Sequence, residues 1–357
     1  MQKVVLHIID YLGVGGAETL LVKANIQLPD FKHIIVYLKP PNEFQKEVKH
    51  LPVICLNYTG IRSLLRCVRE LRGIMAKYQV DIVHSHLYFS MIIARLALTN
   101  KVQLISSYHS LLYDPKNRAQ YSVKLLWLDQ LTYRKKHHLV FVSKTVRNLV
   151  SSKVGVIKNY SIIYNFIDPV YFNTARTESK DSKFRVIMVG NLRQEKNQIQ
   201  ALEALAMLKD TGITIDIYGD GAERKYLERR IDQLGLQSQV HLRGLVDDTS
   251  TVLSKYDLFL STSLFEGFGI ALAEALAIGL PCIVSDIPAH REVSGSSAVL
   301  FNSSSASDLS IKLAEMRTST TSLQELSKLG KETAIQFTKK AYLEKLMILY
   351  NKLTEAK

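Results

Sequence analysis

A chain of 357 residues exceeds what one ordinary hydrophobic core organises and fits two domains of roughly 150 to 180 residues each. With 47% hydrophobic and 22% charged residues it has the composition of a folded globular protein, which excludes a disordered or fibrous chain. The net charge of +13 sits in one half: residues 1–165 hold 23 Lys and Arg against 9 Asp and Glu, whereas the remainder is nearly neutral, so a uniformly basic nucleic-acid binder is disfavoured.

In chain order, MQKVVLHIIDYLGVGGAE starts as a strand and runs into a glycine turn, without the small-residue cleavage site of a signal peptide. The apolar runs VVLHII, HIIVYL, DIVHSH, QLISSYH and HLVFVS follow in the first half, and FRVIMVG, TIDIYGDG, VHLRGL, DLFLSTS and PCIVSD in the second. Short continuous apolar strands alternating with helical periodicity predict the α/β class, with two Rossmann-like, doubly wound parallel-sheet domains. Between the runs, Arg62, Arg66, Arg69 and Arg72 recur at helical spacing opposite Leu65, Val68, Leu71 and Met75, and a second basic cluster runs from Arg134 to His138. These are a solvated helix face or a contact for an anionic membrane surface.

Residues 165–183 lack periodicity, so the expected boundaries are an N-terminal domain 1–165, a linker 166–183 and a C-terminal domain 184–357. The helical pattern of residues 341–353 does not disclose which domain it packs on. The longest apolar window, residues 268–284, carries Glu274 and Pro281, and no transmembrane helix is expected. Cys55, Cys67 and Cys282 are odd in number and lack zinc or disulfide spacing, which suits a reducing cytoplasm.

Three constellations point to chemistry. Gly15 and Gly16 follow the first strand and open a helical run, where backbone amides and a helix N-terminus can approach a phosphate, or where the chain makes a tight turn with no ligand. The pattern is not the G-x-G-x-x-G of nicotinamide enzymes. Arg193 and Lys196, in GNLRQEKN, stand just past a strand, where open α/β sheets bind ligands; they are cations for a diphosphate or a surface loop. Glu266 precedes a glycine turn, and Glu274, eight residues on, lies slightly more than two helical turns away. A lone Glu in so apolar a helix is costly to bury without a partner such as a ribose diol. Histidines also collect at strand ends, in DIVHSH and SSYH.

In order, GGAE, GNLRQEKN, YGDG, LRGLVDD, the Glu-x7-Glu signature and PCIVSD resemble the family 4 glycosyltransferases, retaining enzymes of the two-Rossmann GT-B fold whose domains face each other across a cleft. The resemblance implies that Gly15 and Gly16 approach the donor phosphate and sugar, and that Glu266 contacts the transferred sugar. It places Glu274 on the ribose hydroxyls, the amides of Phe268, Gly269 and Ile270 on the sugar or phosphates, and Lys196 and Arg193 on the diphosphate. His109 corresponds to a histidine near the transferred sugar and His86 to a residue facing the acceptor, although both could be satisfied histidines with no chemical role. The chain departs from the family in having Asn191 where an Arg is common, with Arg193 two residues on.

Such enzymes resemble front-face catalysts in which the leaving diphosphate accepts the proton of the incoming hydroxyl. No D-x-D triplet is present, and the resemblance implies neither a metal nor a cofactor; the nucleotide sugar, commonly UDP-linked, is a substrate. A glycan or lipid-linked glycan acceptor in cell-surface polysaccharide synthesis, a cytoplasmic location peripheral to the inner face of the cell membrane, and no nucleic-acid partner complete the expectation. Its rivals are a sugar-nucleotide epimerase of the same architecture and a basic nucleic-acid or membrane-binding module without catalysis.

Overall fold

The computed structural model describes residues 2–13, 15–115, 122–177, 183–208 and 212–355. Val14 of the glycine turn and residues 178–182 of the expected linker lie outside them. The chain divides into two compact units, one formed by Met1–Phe166 with Lys339–Lys357 and the other by Ile167–Thr338.

The first unit is built on a parallel sheet of seven strands: β1 (Lys3–Ile9), β2 (Phe31–Tyr37), β3 (Val53–Cys55), β4 (Ile82–His86), β5 (Gln103–Tyr108), β6 (His138–Phe141) and β7 (Tyr160–Ile162). Their order is β3-β2-β1-β4-β5-β6-β7. Both faces are covered and largely apolar. Leu6, Ile8, Ile34, Val36, Val83 and Leu104 pack under the helices Ile61–Lys77 and Tyr88–Ala97. The opposite face, with Val5, Ile82, Ile105 and Val140, meets Leu20 of the helix Gly16–Lys23 and Tyr342, Leu346, Leu349 and Tyr350 of the last helix, Lys339–Glu355. Those four residues make one stripe at helical spacing. The helix whose packing the sequence leaves open therefore belongs to the first unit, where the Tyr342 hydroxyl also donates to Asn25 Oδ1 at 2.5 Å.

The second unit repeats the scheme with β8 (Phe184–Val189), β9 (Ile213–Tyr218), β10 (Val240–Gly244), β11 (Leu258–Ser261), β12 (Cys282–Ser285) and β13 (Val299–Phe301), all parallel, in the order β10-β9-β8-β11-β12-β13. The stretch read as an aperiodic linker holds a short helix, Pro169–Asn173, counted with this unit. Asp168 caps it by accepting from the Val170 amide at 3.2 Å, and Pro169, which reads as a breaker, occupies the first turn, where proline is tolerated. Each sheet thus has one point where strand order reverses, β1/β4 in the first unit and β8/β11 in the second. Ligands of open α/β sheets bind outside the strand carboxyl ends at such points. Among the described residues no helix is long and apolar enough to cross a membrane.

Candidate active site

In the second unit the reversal point gathers charge. Past β8, Gly190 (φ +154°) leads into the 190–197 loop. A Cβ on Gly219 would come within 2.0 Å of the Gly190 carbonyl oxygen, and one on Gly221 within 2.3 Å of that of Leu192. The two glycines of YGDG therefore let the end of β9 lie directly on the loop, with Gly190 N donating to Tyr218 O at 2.9 Å and Leu192 N to Asp220 O at 3.0 Å.

So supported, the loop delivers Lys196, whose Nζ donates to Glu266 Oε1 at 2.6 Å. Ser263 Oγ donates to the same oxygen at 2.8 Å, and Thr262 Oγ1 donates to the Lys196 carbonyl at 2.8 Å, tying the segment after β11 to the segment after β8. Burial pushes the Glu266 carboxyl up, but the Lys196 ammonium, His290 and the Ser263 hydroxyl outweigh it and hold Glu266 below its ordinary range. The result is an ionised carboxylate and a cation, both half-buried.

His290, on the helix Pro288–Ser294, is one group that the sequence reading missed. It is fully buried, its Nδ1 lies 2.9 Å from the Ser285 carbonyl, and burial keeps it neutral. The carbonyl can only accept, so Nδ1 carries the proton and Nε2 is left as an acceptor, 3.4 Å from Ser261 Oγ. A Cβ on Gly269 would lie 3.6 Å from the His290 ring. Gly269 has φ +92° and starts the helix Ile270–Ile278, so Phe268, Gly269 and Ile270 form that helix's N-terminal end, with Phe268 packed edge-on against Phe337.

Glu274 lies on the same helix and is half-buried. The Tyr171 hydroxyl, from the helix Pro169–Asn173, donates to its carboxylate and accepts from Thr249; burial and the Glu274 charge push the Tyr171 phenol up. The cost of placing Glu274 in an apolar helix is thus already offset within the chain. Arg193 is placed differently from Lys196: its side chain is 56% exposed, and its ion pair, to Glu195, spans 3.8 Å.

The first unit's reversal point has another character. Gly15 precedes the helix Gly16–Lys23, and a Cβ there would meet Glu18 Oε2 at 2.5 Å, so the glycine makes room for a buried carboxyl. Burial and neighbouring Asp10 push Glu18 up. Asp10 is itself raised by burial although it accepts from the Ser90 amide at 2.7 Å. Beside these carboxyls stand imidazoles. His86 is fully buried; His109 is half-buried, and burial lowers it to about 4. The rings of His86 and His109 lie 5.7 Å apart. Among the described residues, His7, His84 and His86 bring ring nitrogens within 4.8 Å of one another, a spacing open to a metal ion. Yet His84 already hydrogen-bonds Tyr350 and Ser107 at 2.7 Å on each side.

Residues 172–350 match the family model described as glycosyl transferases group 1, and residues 14–171 match that of glycosyltransferase family 4. The chain belongs to the group 1 glycosyl transferases. Among relatives of this group 1 transferase is a UDP-Gal:alpha-D-GlcNAc-diphosphoundecaprenol alpha-1,3-galactosyltransferase of Escherichia coli, 26% identical over 66% of the chain and 65% of that enzyme. The match therefore spans just under two thirds of the relative's length. An N-acetyl-alpha-D-glucosaminyl L-malate synthase of Bacillus anthracis is 24% identical over 82% of the chain and 81% of that protein. The fold is that of solved glycosyltransferases of the GT-B type. A glycosyltransferase from Rickettsia africae superposes with TM-score 0.86 at 18% identity over the full length of both chains. The HepE protein of Anabaena in complex with UDP does so with TM-score 0.86 at 19% identity, over 98% of the chain and 99% of HepE.

Proposed function

We propose that the chain is a retaining, metal-independent glycosyltransferase that moves a sugar from a UDP-linked donor to a hydroxyl of a glycan or lipid-linked glycan, in cell-surface polysaccharide synthesis. The observation that carries this reading is the Lys196–Glu266 pair at the β8/β11 reversal point. In the proposed reaction Lys196 swings its charge to the leaving diphosphate, with Arg193 as a peripheral cation, and the freed Glu266 carboxylate accepts hydroxyls of the transferred sugar. The helix beginning at Ile270 turns its N-terminal dipole, with the amides of Phe268 to Ile270, toward the donor. Glu274 holds the ribose. In the N-terminal domain, taken as the acceptor side, Gly15 and Gly16 approach the donor and His109 the transferred sugar, with buried His86 behind it on the acceptor side. Charge that grows on the diphosphate is stabilised by the Lys196 ammonium and the backbone amides, an electrostatic contribution often of several kcal/mol.

A thermal-shift screen against UDP-, GDP- and ADP-sugars tests donor choice, since a ligand at 100 times its dissociation constant stabilises a fold by about 2.7 kcal/mol. The reading predicts a shift with a UDP-sugar, product of unchanged anomeric configuration, and turnover indifferent to EDTA. Inverted product, loss of activity in EDTA restored by Mg²⁺, or donor epimerisation without acceptor would each replace it.

We also propose peripheral contact with an anionic membrane. The helices Ile61–Lys77, Tyr88–Ala97 and Val123–Thr132 pack side by side on one face of the first unit. Val123, Trp127 and Leu131 form a stripe on the last of these, 67%, 62% and 53% exposed, near Lys124, Arg134, Lys135 and Lys136, while Ile61 and Leu65 are exposed among Arg62, Arg66 and Arg69. An aromatic and aliphatic stripe ringed by cations suits the interface of an acidic bilayer. Trp127 is the only tryptophan in the chain, so vesicle binding should blue-shift the protein's whole tryptophan emission. Flotation indifferent to lipid charge, or to reversal of Arg62, Arg66 and Arg69 to Glu, would refute the contact.

A further inference from the structure

On the sheet face covered by the last helix, β1, β2 and β4 place His33, His7, His84 and His86 side by side, all buried, with His109 just past β5. Parallel-sheet interiors ordinarily hold Val and Ile, and several adjacent polar rings there are costly unless their hydrogen bonds are made. Following those bonds gives a direction. His33 Nε2 lies 3.0 Å from the Leu28 carbonyl, which can only accept, so Nε2 carries the proton. Burial keeps His33 neutral, leaving its Nδ1 bare to accept from His7 Nε2 at 3.1 Å. His7, also held neutral by burial, then has a bare Nδ1, which accepts from His86 Nε2 at 3.4 Å. His86 is neutral for the same reason, so the lone pair of its Nδ1 ends the series. That atom is buried and makes no hydrogen bond; in the next ring, His109 Nε2 is likewise buried and without a partner.

We propose that His33, His7 and His86 are a one-way imidazole relay that presents the Nδ1 lone pair of His86 to His109 Nε2, fixing the proton of His109 on that nitrogen. The two rings stand 5.7 Å apart, the same separation as the hydrogen-bonded rings of His7 and His86, so a direct bond from His109 Nε2–H to the His86 lone pair completes the link once the rings turn toward each other. His109 Nδ1 is then an obligate acceptor for a substrate hydroxyl. His33, His7 and His86 act in this as positioning residues, and the proposal rests on His109 meeting the transferred sugar. A metal held by His7, His84 and His86 would take ring lone pairs, and one seated on His86 Nε2 would need that nitrogen without the proton that the relay places on it.

The test is ¹⁵N-histidine NMR of the full chain near neutral pH, where protonated and bare ring nitrogens resonate far apart. His33, His7, His86 and His109 should each carry a single proton, on Nε2. A proton on His86 Nδ1, doubly protonated rings, or stoichiometric zinc whose chelation alters these signals overturns the relay. His33→Leu removes the acceptor for His7 and should mix the His86 tautomers while lowering kcat on the order of tenfold with donor KM unchanged, because a misplaced tautomer disables a catalytic imidazole. His33→Gln keeps an acceptor for His7 and should restore most of the loss. Mixed tautomers with unaltered kcat overturn the positioning role. If His109→Ala keeps full activity while the wild-type signals hold, the relay stands and the sugar contact of His109 falls. Should His33→Leu fail to fold, the wild-type spectrum alone decides the tautomers.

Discussion

The two units share a topology and differ in what they place at its reversal point. At β8/β11 the chain holds a formal ion pair, Lys196 on Glu266, with His290 neutral beside it. At β1/β4 the buried titratable groups among the described residues are driven toward neutrality: Asp10 and Glu18 are raised by burial, and His7, His84, His86 and His109 are lowered by it. Burial acts on both sites, but only the second supplies a counter-charge strong enough to reverse its effect on a carboxyl. The difference suits a division of labour in which one unit manages the charge of a diphosphate and the other aims uncharged donors and acceptors at hydroxyls.

The largest effect expected from this contrast is in acid stability. Burial lowers seven histidines of the first unit, His7, His33, His84, His86, His109, His137 and His138, and one of the second, His290. A histidine lowered on folding binds its proton more readily in the unfolded chain, so stability falls as pH drops below about 6.5 and goes on falling to the folded value. For His109, His137 and His138 that value is about 4. Each costs about 1.4 kcal/mol per pH unit within the window. The depressed carboxyl of Glu266 has the opposite origin: its contribution is intact above about 4.5 and is lost only as pH falls through the lower folded value. Hydrogen exchange, corrected for intrinsic rates, should therefore show β1, β4 and β5 losing protection near pH 5.5 while β8 and β11 keep it. Equal loss in both sheets would break the contrast.

Next in size is the ion pair. Lys196→Ala removes the cation at the diphosphate and should lower kcat by roughly 100-fold or more while donor KM changes less, because the charge it meets grows toward the transition state. The same substitution leaves Glu266 to burial, which raises it, so the acid limb of the rate profile should move to higher pH. Wild-type turnover in Lys196→Ala would end the proposed role.

What could be read from the sequence follows the same physics. The strands it yields are those of four residues or more; β3, β7 and β13, at sheet edges, escape because each is three residues long, too short to show a period. Lys196 and Glu266 are legible because each sits in a local motif past a strand. Tyr171 and His290 are not, since their meaning comes from partners distant in the chain, and Tyr171 lies in a stretch whose Pro169 reads as a breaker. His7 and His33 are hidden for another reason: one histidine in an apolar strand looks like core, and only the register of β1, β2 and β4 brings the rings together.

A smaller effect separates ligand from scaffold at Glu274. If its carboxylate accepts ribose hydroxyls, Glu274→Ala should weaken UDP binding by about 1 to 3 kcal/mol by calorimetry. Tyr171→Phe removes a donor to Glu274 and leaves the carboxylate in place, so UDP affinity should change less, with a loss of thermal stability instead. Unchanged affinity in folded Glu274→Ala would make the residue purely a packing partner of Tyr171.

The smallest effect expected is at Arg193. Asn191 stands where the family commonly carries an arginine, and Arg193 is the nearby guanidinium that could replace it. Its side chain is more than half exposed and its ion pair with Glu195 spans 3.8 Å, so little holds it in one geometry, and exposed pairs of this kind contribute about 0.2 to 1 kcal/mol. A mobile, hydrated cation attracts a diphosphate without being organised for its transition state. Arg193→Ala should therefore raise donor KM about two- to fivefold at low salt, an effect that fades as salt screens the charge, and leave kcat nearly unaltered. A fall in kcat approaching that of Lys196→Ala would show instead that the loop rearranges to bring both cations onto the leaving group, and the ion pair would lose its special place in the comparison.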